Sequence, residues 1–211
     1  MINIFAHRGL WNDTIEPNSI QAIIGALENG FSIETDIRDF DGTNIGISHD
    51  PITINQTNIL NIGDYIKLFN EFAHPTAISA LNIKSDGLEN LLVEFDDLIK
   101  NPKFFFFDGS FPTMKKLKEK GFICFDRISE FEEQVNFLFD GLWIDSFQSD
   151  WIIDIDKIDF NSNKSIVIVS PELHNRPYMD MWHWIKENIS LLPESLGICT
   201  DFPLEAKKFF K

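Results

Sequence analysis

The sequence predicts an α/β fold, a TIM-type (β/α)8 barrel with a short hairpin insertion after its second strand. Three observations point there. Eight apolar, strand-like runs recur along the 211 residues, separated by segments with helical periodicity. Strand–helix alternation of this kind builds a parallel sheet, and eight repeats suggest closure, in a chain short beside the usual ~250 residues. Polar, chemically capable side chains gather at the C-terminal ends of the runs, where barrels carry their active sites. A doubly wound open sheet is the competing architecture, and periodicity alone does not choose between the two.

In order, the runs are "NIFAHR", "FSIETDI", "AISALNIK", "KFFFFDGS", "GFICFDR", "GLWIDSF", "SIVIVSPE" and "LGICTDF". A ninth, "NIGIS", follows Asp41-Gly42 and reads as the return arm of a hairpin from the second strand. Ile20, Ile23, Ile24 and Leu27 mark one helical stripe, ended by Gly30. Leu88, Leu91, Leu92, Phe95, Leu98 and Ile99 mark another. Ser129 and Glu132 make a capping-box pattern ahead of a "FEEQVNFLF" helix, and "PYMDMWHWIKENI" and "PLEAKKFF" supply helices near the end. Asp108 and Asp145, after the fourth and sixth runs, read as helix N-caps.

No linker or low-complexity segment interrupts the chain, so residues 1–211 read as one domain. The 21 phenylalanines fall mostly in apolar runs and read as core. Net charge is −15, with no basic cluster, which argues against nucleic acid or an anionic membrane surface as partner. An anionic substrate could then bind only where the local sign is reversed. No apolar run approaches the ~20 residues that span a bilayer, so no membrane insertion is expected. Cys124 and Cys199 sit in apolar runs without a CxxC partner and read as buried thiols of a reducing compartment. With no signal-like N-terminal segment, the expectation is a cytoplasmic protein.

The chemistry concentrates between Asn3 and Lys84. Side chains alternate faces along a strand, so Glu34 and Asp36 share one face of the second run while Ile33, Thr35 and Ile37 share the other. Adjacent inward carboxylates need a cation or a shared proton, and oxygen-only ligands suit Mg2+ or Ca2+. The alternative is an edge strand carrying ordinary solvated charges. His7 and His49 end the first strand and the hairpin arm, and two imidazoles beside a bound anion can act as general base and general acid. Arg8 and Lys84 would supply positive charge for a phosphate.

Taken together, "HRG", "ETD", "DG", "HD" and "NIK", with "TDFP" near the C-terminus, resemble the glycerophosphodiester phosphodiesterase family, in the family's motif order over most of the chain. The resemblance implies a TIM-type barrel that uses a divalent cation, Mg2+ or Ca2+, to hydrolyse a small-molecule phosphodiester to a phosphomonoester and an alcohol. It places His7 and His49 as the acid–base pair, Glu34 and Asp36 as metal ligands, and Arg8 and Lys84 at the phosphate. Two departures stand out. The family's Glu-x-Lys reads Asn82-Ile83-Lys84, so Asn82 is expected to offer the metal an uncharged carbonyl. The "PEN" segment reads "IEPNS", with Asn18 in place but Pro17 at the usual glutamate position. Glu172, His174 and Arg176, in "SPELHNRP", are unlike the family pattern and are expected to recognise the alcohol group, against a purely structural loop. The alternatives to hydrolysis are a catalytically impaired barrel that binds a phosphorylated ligand and a lyase that releases a cyclic phosphate.

Overall fold

Ser32–Phe40 forms a nine-residue strand, β2, because its β-branched residues suit a pleated surface and its neighbours cover both faces. Ile33, Thr35 and Ile37 are buried, and so are Ser32, Glu34 and Asp36 opposite them. That removes the edge-strand alternative, since a strand buried on both faces belongs to the interior of a sheet. The computed structural model describes residues 2–53, 55–56, 58–133, 138–153 and 165–211.

The remaining strands are β1 (Asn3–His7), β3 (Asn44–Ile47), β4 (Ser79–Ile83), β5 (Phe104–Phe107), β6 (Phe125–Ile128), β7 (Gly141–Ile144), β8 (Ser165–Val169) and β9 (Leu196–Thr200). The helices are α1 (Ile20–Glu28), α2 (Ile62–Phe72), α3 (Glu89–Leu92), α4 (Asp96–Lys100), α5 (Phe111–Glu119), α6 (Met179–Glu187) and α7 (Pro203–Phe209). All eight expected strands are present, and β3 is antiparallel to β2 as the hairpin reading requires. Asp41 and Gly42 both take positive φ, 57° and 75°, the turn geometry that twists with the flanking strands.

The chain divides into two compact units. One is Ala6–Cys124. Its strands run β5-β4-β2-β1, with β3 beside β2, and β2 is parallel to β4 as β4 is to β5. Its core is aromatic. Phe104–Phe107 are all buried, Phe69 lies 4.8 Å from Phe104, and Phe106 meets Phe122 edge-on at 5.2 Å. α1 turns Ala22, Ile23, Ala26 and Leu27 inward, is capped by Ser19 and ends before Gly30 at φ 76°.

The other unit comprises Met1–Phe5 and Phe125–Lys211, with strand order β1-β9-β8-β7-β6, parallel from β6 to β9. Trp182 is fully buried on α6, donates its indole N–H to Ser170 Oγ at 2.8 Å, and packs on Tyr178, Phe209 and Phe210. Gly141 sits where an added Cβ would lie 2.5 Å from the Phe125 ring, so no larger residue fits. Eight strands in the order β5-β4-β2-β1-β9-β8-β7-β6, with helices described in most of the connections, give the fold class of a TIM-type (β/α)8 barrel. Cys124 and Cys199 are buried free thiols.

Three local expectations need correction or placement. The stripe from Leu88 to Ile99 is two short helices, α3 and α4, because Phe95 leaves helical geometry (φ −109°, ψ 87°) and the acidic pair Asp96-Asp97 starts a new first turn. Asp108 caps no helix. It has φ 68°, and the cap of α5 is Ser110. The "FEEQVNFLF" helix falls partly outside the described residues; at its start Glu130 and Phe131 form a turn between Ser129 and Glu132, which bridge antiparallel.

Candidate active site

Within Ala6–Cys124, the C-terminal ends of four strands deliver one cluster of side chains. β1 ends at His7, and the chain reverses through Arg8 and Gly9, both at positive φ (57° and 91°). Glycine is needed at position 9, since a Cβ there would stand 2.6 Å from the Ala22 backbone. The reversal is fixed by Arg8 N–H donating to Glu34 O at 2.9 Å and by Arg8 O accepting from Asn18 N–H at 2.8 Å. Asn82 is the register partner of Asp36 across the β2–β4 ladder, so the two share a face.

Arg8 Nε lies 2.9 Å from Asp36 Oδ2, and Asn18 Nδ2 donates to the same oxygen at 2.9 Å. The Arg8–Asp36 contact is an ion pair at hydrogen-bond length whose alignment leaves Nε without a well-directed hydrogen bond. Asn18 accepts from Thr35 Oγ1 at 2.8 Å, which fixes its amide orientation. Lys84 Nζ is 3.5 Å from Asp36 Oδ1 and 3.4 Å from Asp108 Oδ2. His7 Nε2 is 3.9 Å from Glu34 Oε2. His49 is 47% exposed and its Nδ1 lies 2.8 Å from Asp50 Oδ1.

Glu34 is 1% exposed and Asp36 0%. Burial, reinforced by the neighbouring Asp36 charge, pushes the Glu34 carboxyl up to about 7, against the opposing pull of His7, Lys84 and Arg8. Arg8 and Lys84 are balanced by Asp36 and Asp108, so the basic side chains alone do not give the positive surplus that an anion requires. Within this cluster three buried oxygens lack a hydrogen-bond partner: Glu34 Oε2, Asp36 Oδ1 and Asn82 Oδ1. Buried oxygens without a hydrogen bond, from two carboxylates and an amide on neighbouring strand positions, suit a hard divalent cation. The donor set therefore fits Mg2+ or Ca2+. Among the described residues no group of three His, Cys, Asp or Glu side chains is placed to hold a metal.

Glu172, His174 and Arg176 lie in the other unit and have partners within it. The Glu172 carboxylate accepts from the Ser170 and Thr200 hydroxyls and from Asp201 N–H, while burial raises its carboxyl above the ordinary range. His174 Nε2 meets Asp145 Oδ1 at 2.5 Å, with its ring 4.5 Å from that of Phe147. Arg176 donates to Ser146 O and pairs with Asp150 at 2.5 Å, not with Glu172. Two contributors to the first cluster carried readable signals that composition obscured. Arg38 continues the alternating polar face of Glu34 and Asp36. Asp108 ends a strand beside a lysine-bearing one.

No protein-family model matches the sequence, and no curated protein does either. Solved structures do match in fold. A glycerophosphodiester phosphodiesterase from Parabacteroides distasonis aligns with a TM-score of 0.70 at 15% identity, covering 99% of this chain and 96% of that one. One from Thermotoga maritima gives 0.64 at 16% identity, over 99% and 98%. A phosphodiesterase from Oleispira antarctica, solved with the product sn-glycerol-3-phosphate, gives 0.67 at 12% identity, over 98% and 96%. At these identities the likeness establishes the fold, which spans essentially the whole of each chain.

Proposed function

We propose that the chain is a divergent member of the glycerophosphodiester phosphodiesterase family: a single-domain, metal-dependent phosphoric diester hydrolase acting on a small glycerophosphodiester-like substrate. The observation that carries this reading is the trio of buried oxygens without a hydrogen-bond partner on Glu34, Asp36 and Asn82, beside Arg8, Lys84 and His7. The fold, shared with phosphodiesterases of which one was solved with a phosphomonoester product, supports it. Glu34, Asp36 and Asn82 would hold the cation, which when bound offsets phosphoryl charge and polarises the phosphorus–oxygen bonds.

Arg8 and Lys84 orient the diester and stabilise the negative charge that grows on its oxygens. One imidazole takes a proton from the attacking water as the new P–O bond forms. The other gives a proton to the leaving alkoxide as the old bond breaks, so the products are a phosphomonoester and an alcohol. His7, held beside Glu34, is assigned as the base, and His49, exposed on the hairpin loop, as the acid. Glu172, His174 and Arg176 are assigned to the substrate's alcohol group. All three are held by neighbours, Glu172 by Ser170 and Thr200, His174 by Asp145 and Arg176 by Asp150. The acidic chain argues for no nucleic-acid partner, and the two free thiols suit a cytoplasmic location. Among the described residues, no helix is long and apolar enough to cross a membrane.

Phosphorus NMR tests the reading. A panel of glycerophosphodiesters is incubated with the protein and Mg2+, Ca2+ or Mn2+, and a phosphomonoester signal is expected. A cyclic phosphate would make the protein a lyase. Ligand binding without turnover at any metal concentration would make it an impaired barrel, the outcome that the uncharged Asn82 favours.

A further inference from the structure

We infer that Arg38 is a positioning residue for this site, a role that rests on the proposed phosphodiesterase reading. Its guanidinium bridges two main-chain carbonyls: Nη1 donates to His49 O at 3.0 Å and Nη2 to Lys84 O at 2.8 Å. β3 ends at Ile47 and β4 at Ile83, so both carbonyls lie just past the last ladder positions, where no neighbouring strand supplies a donor. The residues whose backbones it captures are the proposed acid and the lysine that reaches Asp36.

The chain from His49 to Lys84 runs through α2 and the whole of β4, so covalent continuity does little to fix one end against the other. Two other bonds anchor the surroundings: Lys84 N–H donates to Ile37 O at 2.9 Å, and Asp39 N–H donates to Ser85 Oγ at 2.9 Å. On the hairpin side, Ser48 N–H donates to Asp36 O at 3.0 Å. Beyond Ser48, among the described residues, Arg38 ties the His49 backbone to the end of β4. The guanidinium suits the task because its donors form a rigid planar fork; an ammonium is a point charge that cannot serve two divergent acceptors in fixed geometry.

Two of its donors are committed to carbonyls, so Arg38 differs in kind from Arg8, whose guanidinium faces a carboxylate. A phosphate-binding arginine affects substrate affinity. A positioning arginine affects the rate at which bound substrate reacts, because a displacement of about 1 Å in a reacting group can cost on the order of 100-fold.

The test uses Arg38→Met and Arg38→Lys in the full chain, with Mg2+ and bis(p-nitrophenyl) phosphate as probe. Arg38→Met is expected to lower kcat by about 10- to 100-fold with KM within about twofold of wild type. Added guanidinium ion should restore part of that loss, and should not restore His49→Ala. Hydrogen–deuterium exchange of the peptide covering residues 45–53 should quicken in Arg38→Met, a reading independent of turnover. Arg38→Lys should show the same changes, smaller, and takes the place of Arg38→Met if that variant does not fold. Unchanged kcat, a loss confined to KM, a loss that guanidinium leaves untouched, or unchanged exchange would each overturn the inference. Absence of wild-type turnover would instead strike at the proposed activity, and the exchange measurement would still decide whether Arg38 holds the loop.

Discussion

Replacing Glu34 by glutamine removes a charge that the metal-free fold has to bury. Its carboxyl rises from an ordinary 4.5 to about 7, driven first by burial and then by Asp36. A folded-state value above the unfolded one means that the folded chain holds the proton more tightly. The associated stability is present in full below pH 4.5 and is lost as pH rises from there through 7. At about 1.4 kcal/mol per pH unit, the loss amounts to about 3 kcal/mol once the carboxyl is ionised. In excess chelator, Glu34→Gln should therefore match wild type near pH 4.5 and exceed it by up to about 3 kcal/mol at pH 8, or roughly 6–12 °C in Tm for a chain of this size. Urea unfolding at the two pH values, comparing the variant with wild type so that other titrating groups cancel, gives the number. Millimolar Mg2+ should reverse the order at pH 8, because the cation stabilises the folded state that binds it and the amide binds it poorly. A variant with no pH-dependent gain in chelator, or an equal response of both proteins to Mg2+, would refute the reasoning.

Other substitutions probe the remaining parts. His7→Ala and His49→Ala should each cut kcat by roughly 10²- to 10⁴-fold in a steady-state assay with Mg2+, and wild-type turnover in either removes that histidine from the mechanism. Asn82→Glu adds a carboxylate across the ladder from Asp36 and should tighten Ca2+ binding by calorimetry; unchanged affinity would place Asn82 outside the metal's ligands. Glu130 accepts from the backbone N–H groups of Phe147, Gln148 and Ser149, so Glu130→Gln should cost about 1–3 kcal/mol in urea unfolding, and a neutral result would show that the loop needs no such clamp.

The strand order was legible because each strand is an apolar run punctuated by polar ends, and a period of two put Glu34 and Asp36 together without any knowledge of their neighbours. Pairing partners were not legible in the same way. That Lys84 would be shared between Asp36 and Asp108 depends on where β4 and β5 stop, and that Arg38 would reach two carbonyls depends on both ladders ending short of it. The Leu88–Ile99 stripe misled because its spacing is helical on both sides of Phe95, while the break itself is a backbone event that leaves the apolar count unchanged. Asp108 misled because an acid ahead of a helix looks like a cap. The Ser110-Phe111-Pro112 sequence, with proline in the first turn, was the better signal.

The most direct measurement is an anomalous difference map from crystals grown with Mn2+. A peak within about 2.0–2.5 Å of the oxygens of Glu34, Asp36 and Asn82 is what the account predicts. A map in which Mn2+ binds elsewhere, leaving those three oxygens without a metal, would contradict it.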